Sequence, residues 1–327
     1  MRIRILCPLM SIAAMLFLVA GCGGESKPAP AAPNSPAPAP AAKPKIALIM
    51  KSLANEFFLT MENGARKHQE THAAEYELIT EGIKDELDVT RQVQLVEQMI
   101  GQKVTAIVIA PADSKALVSV CKRAMDAGIT VVNIDNKFDD AVLADKQVRI
   151  PFVGPDNRKG ARICADYLAQ QLQPGDPVAI IEGVPSAYNG IQRKLGFEEA
   201  MNAAKMNIVA NQVGDWEMNK ANQVVSALLT EKPEIKALLC ANDSMALGAA
   251  AALRSAGKAG AIKVIGYDGI SAVRELIAKG EIVATIEQHA DQLAVFGIEY
   301  ALDMIKTRKP PADRETPVDL ITAANAK

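Results

Sequence analysis

The chain lacks the local signatures of most enzyme and cofactor sites. It has no Gly-x-Ser-x-Gly elbow, no P-loop and no Gly-x-Gly-x-x-Gly after a first strand, so serine hydrolysis, nucleotide hydrolysis and dinucleotide binding have no motif to rest on. His68 and His72 stand four apart, but Gln69-Glu70-Thr71 separates them. The metalloprotease order, with Glu directly after the first His, is therefore absent, and the pair reads as a solvated helix end. Neither a metal nor a cofactor is expected. Basic charge is scarce as well: the formal net charge is −2 and no basic cluster occurs. That argues against nucleic acid or an anionic membrane surface as a partner. Beyond the N-terminus no apolar run is long enough to span a bilayer. Cysteines are few and show no Cys-x-x-Cys spacing, so neither a disulfide framework nor a zinc site is signalled.

What the N-terminus does carry sets the compartment. Arg2 and Arg4 precede an apolar run from about Ile12 to Ala20, which ends in Leu18-Val19-Ala20-Gly21-Cys22. A basic start, a short apolar core and small residues at a cut site describe a secretory signal, residues 1–21. The tetrad before Cys22 resembles the bacterial lipobox, which implies cleavage ahead of Cys22 and its acylation, with membrane attachment through the lipid anchor only. Loss of residues 1–21 moves the formal charge from −2 to −4. Residues 22–44 are mostly Gly, Ser, Pro and Ala, with Pro-Ala repeats from Pro36 to Ala42. Such a segment buries little apolar surface and favours extended polyproline II, so it reads as a tether. Cys121, Cys164 and Cys240 remain, and they read as buried free thiols rather than one bridge plus one free thiol.

From Lys45 onward strand and helix patterns alternate. Strands are predicted at Ile46–Met50, Tyr76–Thr80, Thr105–Ala110 and Thr130–Ile134. Helices are predicted between them at Phe57–His72, Leu87–Ile100 and Ala116–Ala127, the last stopped by Gly128. A second series starts near Phe152, with strands at Val178–Ile181, Ile208–Ala210, Ala237–Cys240 and Ile262–Ile265. Its helices are Asn157–Leu172, Ile191–Ala204, Lys220–Thr230 and Met245–Ala256. Short apolar strands joined by helices mean parallel, doubly wound sheets, and two series mean two α/β lobes. Open parallel sheets bind ligands beyond the carboxyl ends of their strands.

Those ends are polar and aromatic. They carry Lys51, Asn55, Phe57 and Phe58 in the first lobe, then Asp135 and Asn136. The second lobe supplies Arg193, Trp216, Asn242, Asp268 and Gln288. Carboxylates, amides and a guanidinium match hydroxyl groups in fixed directions, and aromatic faces suit the C–H faces of a sugar ring. Other readings stay open at single positions. Asp135 and Asp268 are equally suited to capping turns, and Asn242-Asp243 is a natural N-cap pair. One of Phe57 and Phe58 is expected in the core, and Arg193 stands where a surface arginine would be unremarkable.

Six segments in order carry a resemblance: Lys51-Ser52-Leu53-Ala54-Asn55-Glu56-Phe57-Phe58, Val132-Asn133-Ile134-Asp135, Gly214-Asp215-Trp216, Cys240-Ala241-Asn242-Asp243-Ser244-Met245-Ala246-Leu247-Gly248, Gly266-Tyr267-Asp268-Gly269 and Ala284-Thr285-Ile286-Glu287-Gln288. Together they resemble the type I periplasmic sugar-binding proteins, the ribose and allose group. The resemblance implies that Asn55, Asp135, Arg193, Asn242, Asp268 and Gln288 hold hydroxyls, and that Phe57 or Phe58 and Trp216 sandwich the ring. It also implies a three-segment hinge near Pro155, His289 and Pro317, with lobes of 45–154 plus 289–317 and 155–288 plus 318–327. The implied partners are a monosaccharide and the permease subunits of an ABC importer, and the implied state is a monomer. Ribose binders of the group carry Ser or Thr in place of Lys51 and Arg in place of Asn136. The allose branch has Lys and Trp where Lys51 and Trp216 stand, but an acidic residue at Asn136. A hexose of the allose or psicose kind is expected first, ribose or another pentose or polyol next. A sensory receptor for a chemoreceptor or kinase uses the same closure and is the alternative; a sugar-modifying enzyme, with Asp135 and Asp268 as acid and base, is the remote one.

Overall fold

The computed structural model describes residues 42–326. The signal segment, Cys22 and the tether as far as residue 41 lie outside the described residues. Among these no helix is long and apolar enough to cross a membrane.

The first lobe opens with β1 (Lys45–Ser52), α1 (Glu56–Thr71), β2 (Glu77–Ile83), α2 (Val89–Gly101), β3 (Ala106–Ile109), α3 (Val118–Asp126), β4 (Thr130–Ile134), α4 (Asp140–Asp145) and β5 (Phe152–Pro155). The second follows with α5 (Asn157–Ala169), β6 (Pro177–Glu182), α6 (Tyr188–Ala203), β7 (Asn207–Val213), α7 (Met218–Glu231), β8 (Ala237–Cys240), α8 (Asp243–Ser255), β9 (Lys263–Ile265), α9 (Ser271–Ala278) and β10 (Ala284–Glu287). Then come α10 (Ala290–Thr307), β11 (Arg314–Thr316) and β12 (Asp319–Thr322). The sheets run β2-β1-β3-β4-β5-β11 and β7-β6-β8-β9-β10-β12, the same order twice. All pairings are parallel except that of β12 with β10. Each order reverses beside its first strand, β1 or β6, and that reversal opens a crevice at the strand carboxyl ends. The chain passes between sheets three times: after β5, after β10, and between β11 and β12.

Strands β3, β8 and most of β1 are buried along their whole length, as strands covered on both faces by helices must be. Helices start where the sequence supplies a cap. Asn55, Asp88, Asp139, Asp156 and Asn242 each accept a hydrogen bond from a backbone N–H of the first turn, a contribution of about 1 kcal/mol apiece. Gly128 closes the turn after α3 with a φ of +84°, open to glycine at no steric cost. Cys121, Cys164 and Cys240 are free and buried.

The structure departs from the sequence pattern in two instructive ways. Strand β2 continues to Ile83, three residues past the predicted end at Thr80. It is an edge strand with half-buried residues, so its apolar run stops before its hydrogen bonding does. The sequence pattern leaves out α4, α9, α10 and β10 to β12; the three- and four-residue strands are too short to show a period, and α9 is short and flanked by glycines.

Candidate functional site

Between the lobes, Lys51, Asn55, Phe57, Phe58, Glu86 and Asp135 from the first face Asn189, Arg193, Trp216, Asn242 and Asp268 from the second. They line one narrow space between the lobes. Five of the eleven arrive from strand ends: Lys51 at the close of β1, Glu86 after β2, Asp135 after β4, Asn242 after β8 and Asp268 after β9. The aromatic and basic residues sit in a common stack. The Lys51 Nζ lies 5.1 Å from the Phe58 ring centre and 5.4 Å from that of Trp216. The Arg193 guanidinium lies 5.5 Å from Trp216 and 3.8 Å from Tyr267. Such contacts place cations over π faces when water is excluded.

Charge in the cleft is paired but not saturated. Lys51 Nζ is 3.4 Å from a Glu86 carboxylate oxygen and 3.6 Å from Asp135 Oδ2, and all three side chains are almost fully buried. Arg193 donates through Nε to Asn157 Oδ1 (2.8 Å) and through Nη1 to the Ala241 carbonyl (2.9 Å), with Asp268 Oδ1 at 3.4 Å. Gln288 Nε2 donates to the same Asp268 oxygen at 2.7 Å. Both Glu86 oxygens, Asp135 Oδ2 and Trp216 Nε1 find no hydrogen-bond partner among the described residues. Buried polar atoms are seldom left so, and here they gather around one cavity. Burial pushes the Glu86 and Asp268 carboxyls upward, against the opposing pull of Lys51 and Arg193. Burial likewise works against the Lys51 charge, but the carboxylates of Glu86 and Asp135 outweigh it and raise its pKa.

The backbone is specialised at the same places. Asp135, Trp216 and Asp268 have φ of 61°, 67° and 138°. Non-glycine residues rarely adopt such values, and they persist only where surrounding structure enforces them. For Trp216 the enforcement is visible. A Cβ on Gly183 would strike its ring, and Asn242 Nδ2 donates to its carbonyl at 3.3 Å.

A model of the family described as "periplasmic binding protein domain" matches residues 46–309. The chain is 56% identical over 285 residues to the D-ribose/D-allose-binding protein of Pseudomonas aeruginosa, which covers 86% of this chain and 89% of that one. It is 56% identical to a solved ABC transporter solute-binding protein of Burkholderia multivorans, with a TM-score of 0.85 over 86% of this chain and all of that one. A solute-binding protein of Actinobacillus succinogenes, solved with bound D-allose, is 35% identical, with a TM-score of 0.82 over 87% of this chain and 99% of that one. The chain is a type I periplasmic binding protein. It belongs to that family as a binder rather than an enzyme.

In this periplasmic binding protein nine of the eleven residues expected from sequence border the cavity. Asn136 and Gln288 do not. Both ends of the Asn136 amide are engaged by protein: Nδ2 donates to the Pro111 carbonyl, and Oδ1 accepts from Ser114 Oγ and the Asn189 backbone N–H. The Asn136 amide thus bridges the lobes behind the cavity wall. Gln288 backs Asp268. Capping and lining prove compatible: Asn55 accepts from the Phe57 N–H and Asn242 from that of Met245 while both face the cavity. Asp243 serves structure alone, accepting from Thr285 Oγ1 and the Ile270 N–H. Phe57 and Phe58 are both buried and both line the space, edge to face at 5.1 Å. Sequence reasoning missed Glu86 and Asn189. The rule that points to strand ends finds Glu86 once β2 is taken to Ile83, and Asn189 once α6 is started at Tyr188.

Proposed function

We propose that this protein captures a neutral monosaccharide in the interlobe cleft and presents the closed form to an ABC importer. The observation that carries the reading is the cavity itself. It brings unpartnered carboxylate oxygens, amides, an arginine and a lysine between the faces of Phe58 and Trp216. That mixture answers hydroxyl groups on a ring's rim and C–H groups on its faces. The names of its relatives direct attention to D-allose and D-ribose. Asn55, Asp135, Arg193, Asn242 and Asp268 take the hydroxyls, Lys51 and Glu86 flank them, and Phe57, Phe58 and Trp216 hold the ring, with Gln288 steadying Asp268.

Closure belongs to the same proposal. The hinge lies where the chain changes sheets, near Pro155, His289 and Pro317, dividing 45–154 plus 289–317 from 155–288 plus 318–327. Hydrogen bonds already span the cleft: Tyr188 N–H to Ser114 Oγ at 2.9 Å, Asn189 N–H to Asn136 Oδ1 at 3.2 Å and Ser271 N–H to Glu56 at 2.8 Å. These contacts favour the closed form once a ligand fills it. For location we propose a periplasmic protein tethered through acylated Cys22, the lipid being its one membrane attachment.

The test is a titration of the mature chain with aldoses, ketoses and polyols, followed by Trp216 fluorescence and heat. Saturable binding of D-allose, D-psicose or D-ribose with the sugar recovered unchanged is the expected outcome. Silence across the panel refutes the sugar reading and leaves the fold intact.

A further inference from the structure

The β2–α2 loop brings to the cleft a group that the strand-end motifs did not single out. Glu86 is 2% exposed, borders the cavity and pairs with Lys51. Neither of its carboxylate oxygens accepts a hydrogen bond from a described residue. A buried carboxylate in this condition loses the full strength of its water hydrogen bonds, and one ion pair at 3.4 Å does not replace them. A donor entering the cavity would satisfy the oxygens that Lys51 leaves open.

The surroundings narrow what that donor is. Glu86, Asn55 and Trp216 form the partition between the inner cavity and an outer groove, whose far wall includes Glu217, Met218 and Ser244 of the second lobe. Glu217 of the second lobe lines the same groove as Glu86. On the first lobe, Ser52 Oγ donates to the Lys84 carbonyl and so anchors the same loop to β1. The loop that carries Glu86 is thus anchored to the first lobe, and its carboxylate faces the second across the cavity. Three carboxylates, Glu86, Asp135 and Asp268, face two cations, Lys51 and Arg193, inside the site. An anionic ligand would add to an existing excess of negative charge, and a cation finds no free aliphatic or aromatic cage. Neutral O–H donors satisfy the oxygens without adding charge.

We infer that Glu86 is a specificity-determining residue of this site: on closure its carboxylate receives at least one ligand hydroxyl, with Lys51 beside it, so the pocket demands an O–H at that end of a neutral sugar. This rests on the monosaccharide reading above and adds to it which residue selects. A ligand lacking that hydroxyl leaves a buried carboxylate oxygen without a donor, which discriminates more strongly than loss of a contact in an apolar pocket.

The experiment compares the wild type with Glu86→Gln and Glu86→Ala by calorimetry, using D-allose, D-ribose and the series of monodeoxy-D-alloses. Glu86→Gln keeps shape and removes charge, so it guards against a folding artefact in the alanine variant. In the wild type every deoxy sugar that loses a contact binds more weakly. Glu86→Gln should weaken the parent sugar about ten- to a hundredfold, the range for a hydrogen bond to a charged group. For one deoxy position alone, the penalty seen in the wild type should largely vanish in both variants. Wild-type sugar binding with unchanged affinity and unchanged deoxy preferences in both variants overturns the role of Glu86 and spares the sugar reading. Failure of the wild type to bind any of these sugars overturns the sugar reading itself.

Discussion

Asp135 joins two demands that pull in different directions. Its carboxylate faces a buried cavity 3.6 Å from Lys51, while its backbone holds φ at 61°. Aspartate and asparagine tolerate that region better than other side chains because a short polar group bonds locally. The two effects separate by substitution. Asp135→Asn should keep the melting temperature near that of the wild type yet bind sugar about ten- to a hundredfold more weakly, because one charged acceptor is lost. Asp135→Ala should lose affinity and also about 1 kcal/mol of stability from the strained backbone. Paired melting curves and calorimetric titrations read both, and equal stability of the two variants would deny the backbone a role. Lys51 illustrates a different point. A lysine that follows a buried strand is solvated only if the chain surfaces at once, and β1, buried to its end, carries the ammonium into the cleft instead. Two carboxylates keep it charged there.

At the scale of elements, α1 and α9 meet end to end across the cleft. Glu56, the first residue of α1, accepts from both the backbone N–H and the hydroxyl of Ser271, the first residue of α9. A carboxylate at a helix N-terminus is stabilised by unpaired N–H groups and by the helix dipole. Because the two helices belong to different lobes, that energy accrues only on closure. Glu56→Gln should therefore shorten the residence time of the bound sugar by about two- to tenfold in stopped-flow release. The ranking of sugars should stay the same; a changed ranking would put Glu56 at the ligand instead. The elements also show why the sequence was readable where it was. Strands β4 and β8, predicted at Thr130–Ile134 and Ala237–Cys240, are central and doubly covered, so apolar runs and hydrogen-bonded runs coincide. At edge strand β2 they part, and with that mismatch Glu86 escaped notice. Past the end of β4, Asp135 borders the cavity while the Asn136 amide is taken up by Ser114 and Pro111.

Across the whole molecule, stability responds to pH through a buried group directly behind the cleft residue Asn242. Asp243 lies fully buried at the start of α8, and burial raises its pKa to about 7 from an ordinary 3.8, despite hydrogen bonds from Thr285 and the Ile270 and Gly269 N–H groups that oppose the shift. The folded state thus holds this proton more tightly than the unfolded chain. Its contribution is fully present below about pH 4 and is lost as pH rises through about 7. Asp243→Asn removes the titration. In urea unfolding the wild type should lose ground to this variant as pH rises from 4 to 7.5, and a gap independent of pH would refute the assignment. One further consequence lies in the order of the last strands. Residues 314–316 complete the edge of the first sheet and residues 319–322 that of the second, so both lobes wait for the same short stretch of chain. During synthesis and export neither half has a finished sheet to protect until the C-terminus emerges. A ribosome stalled a dozen codons early would release two incomplete lobes rather than one good one.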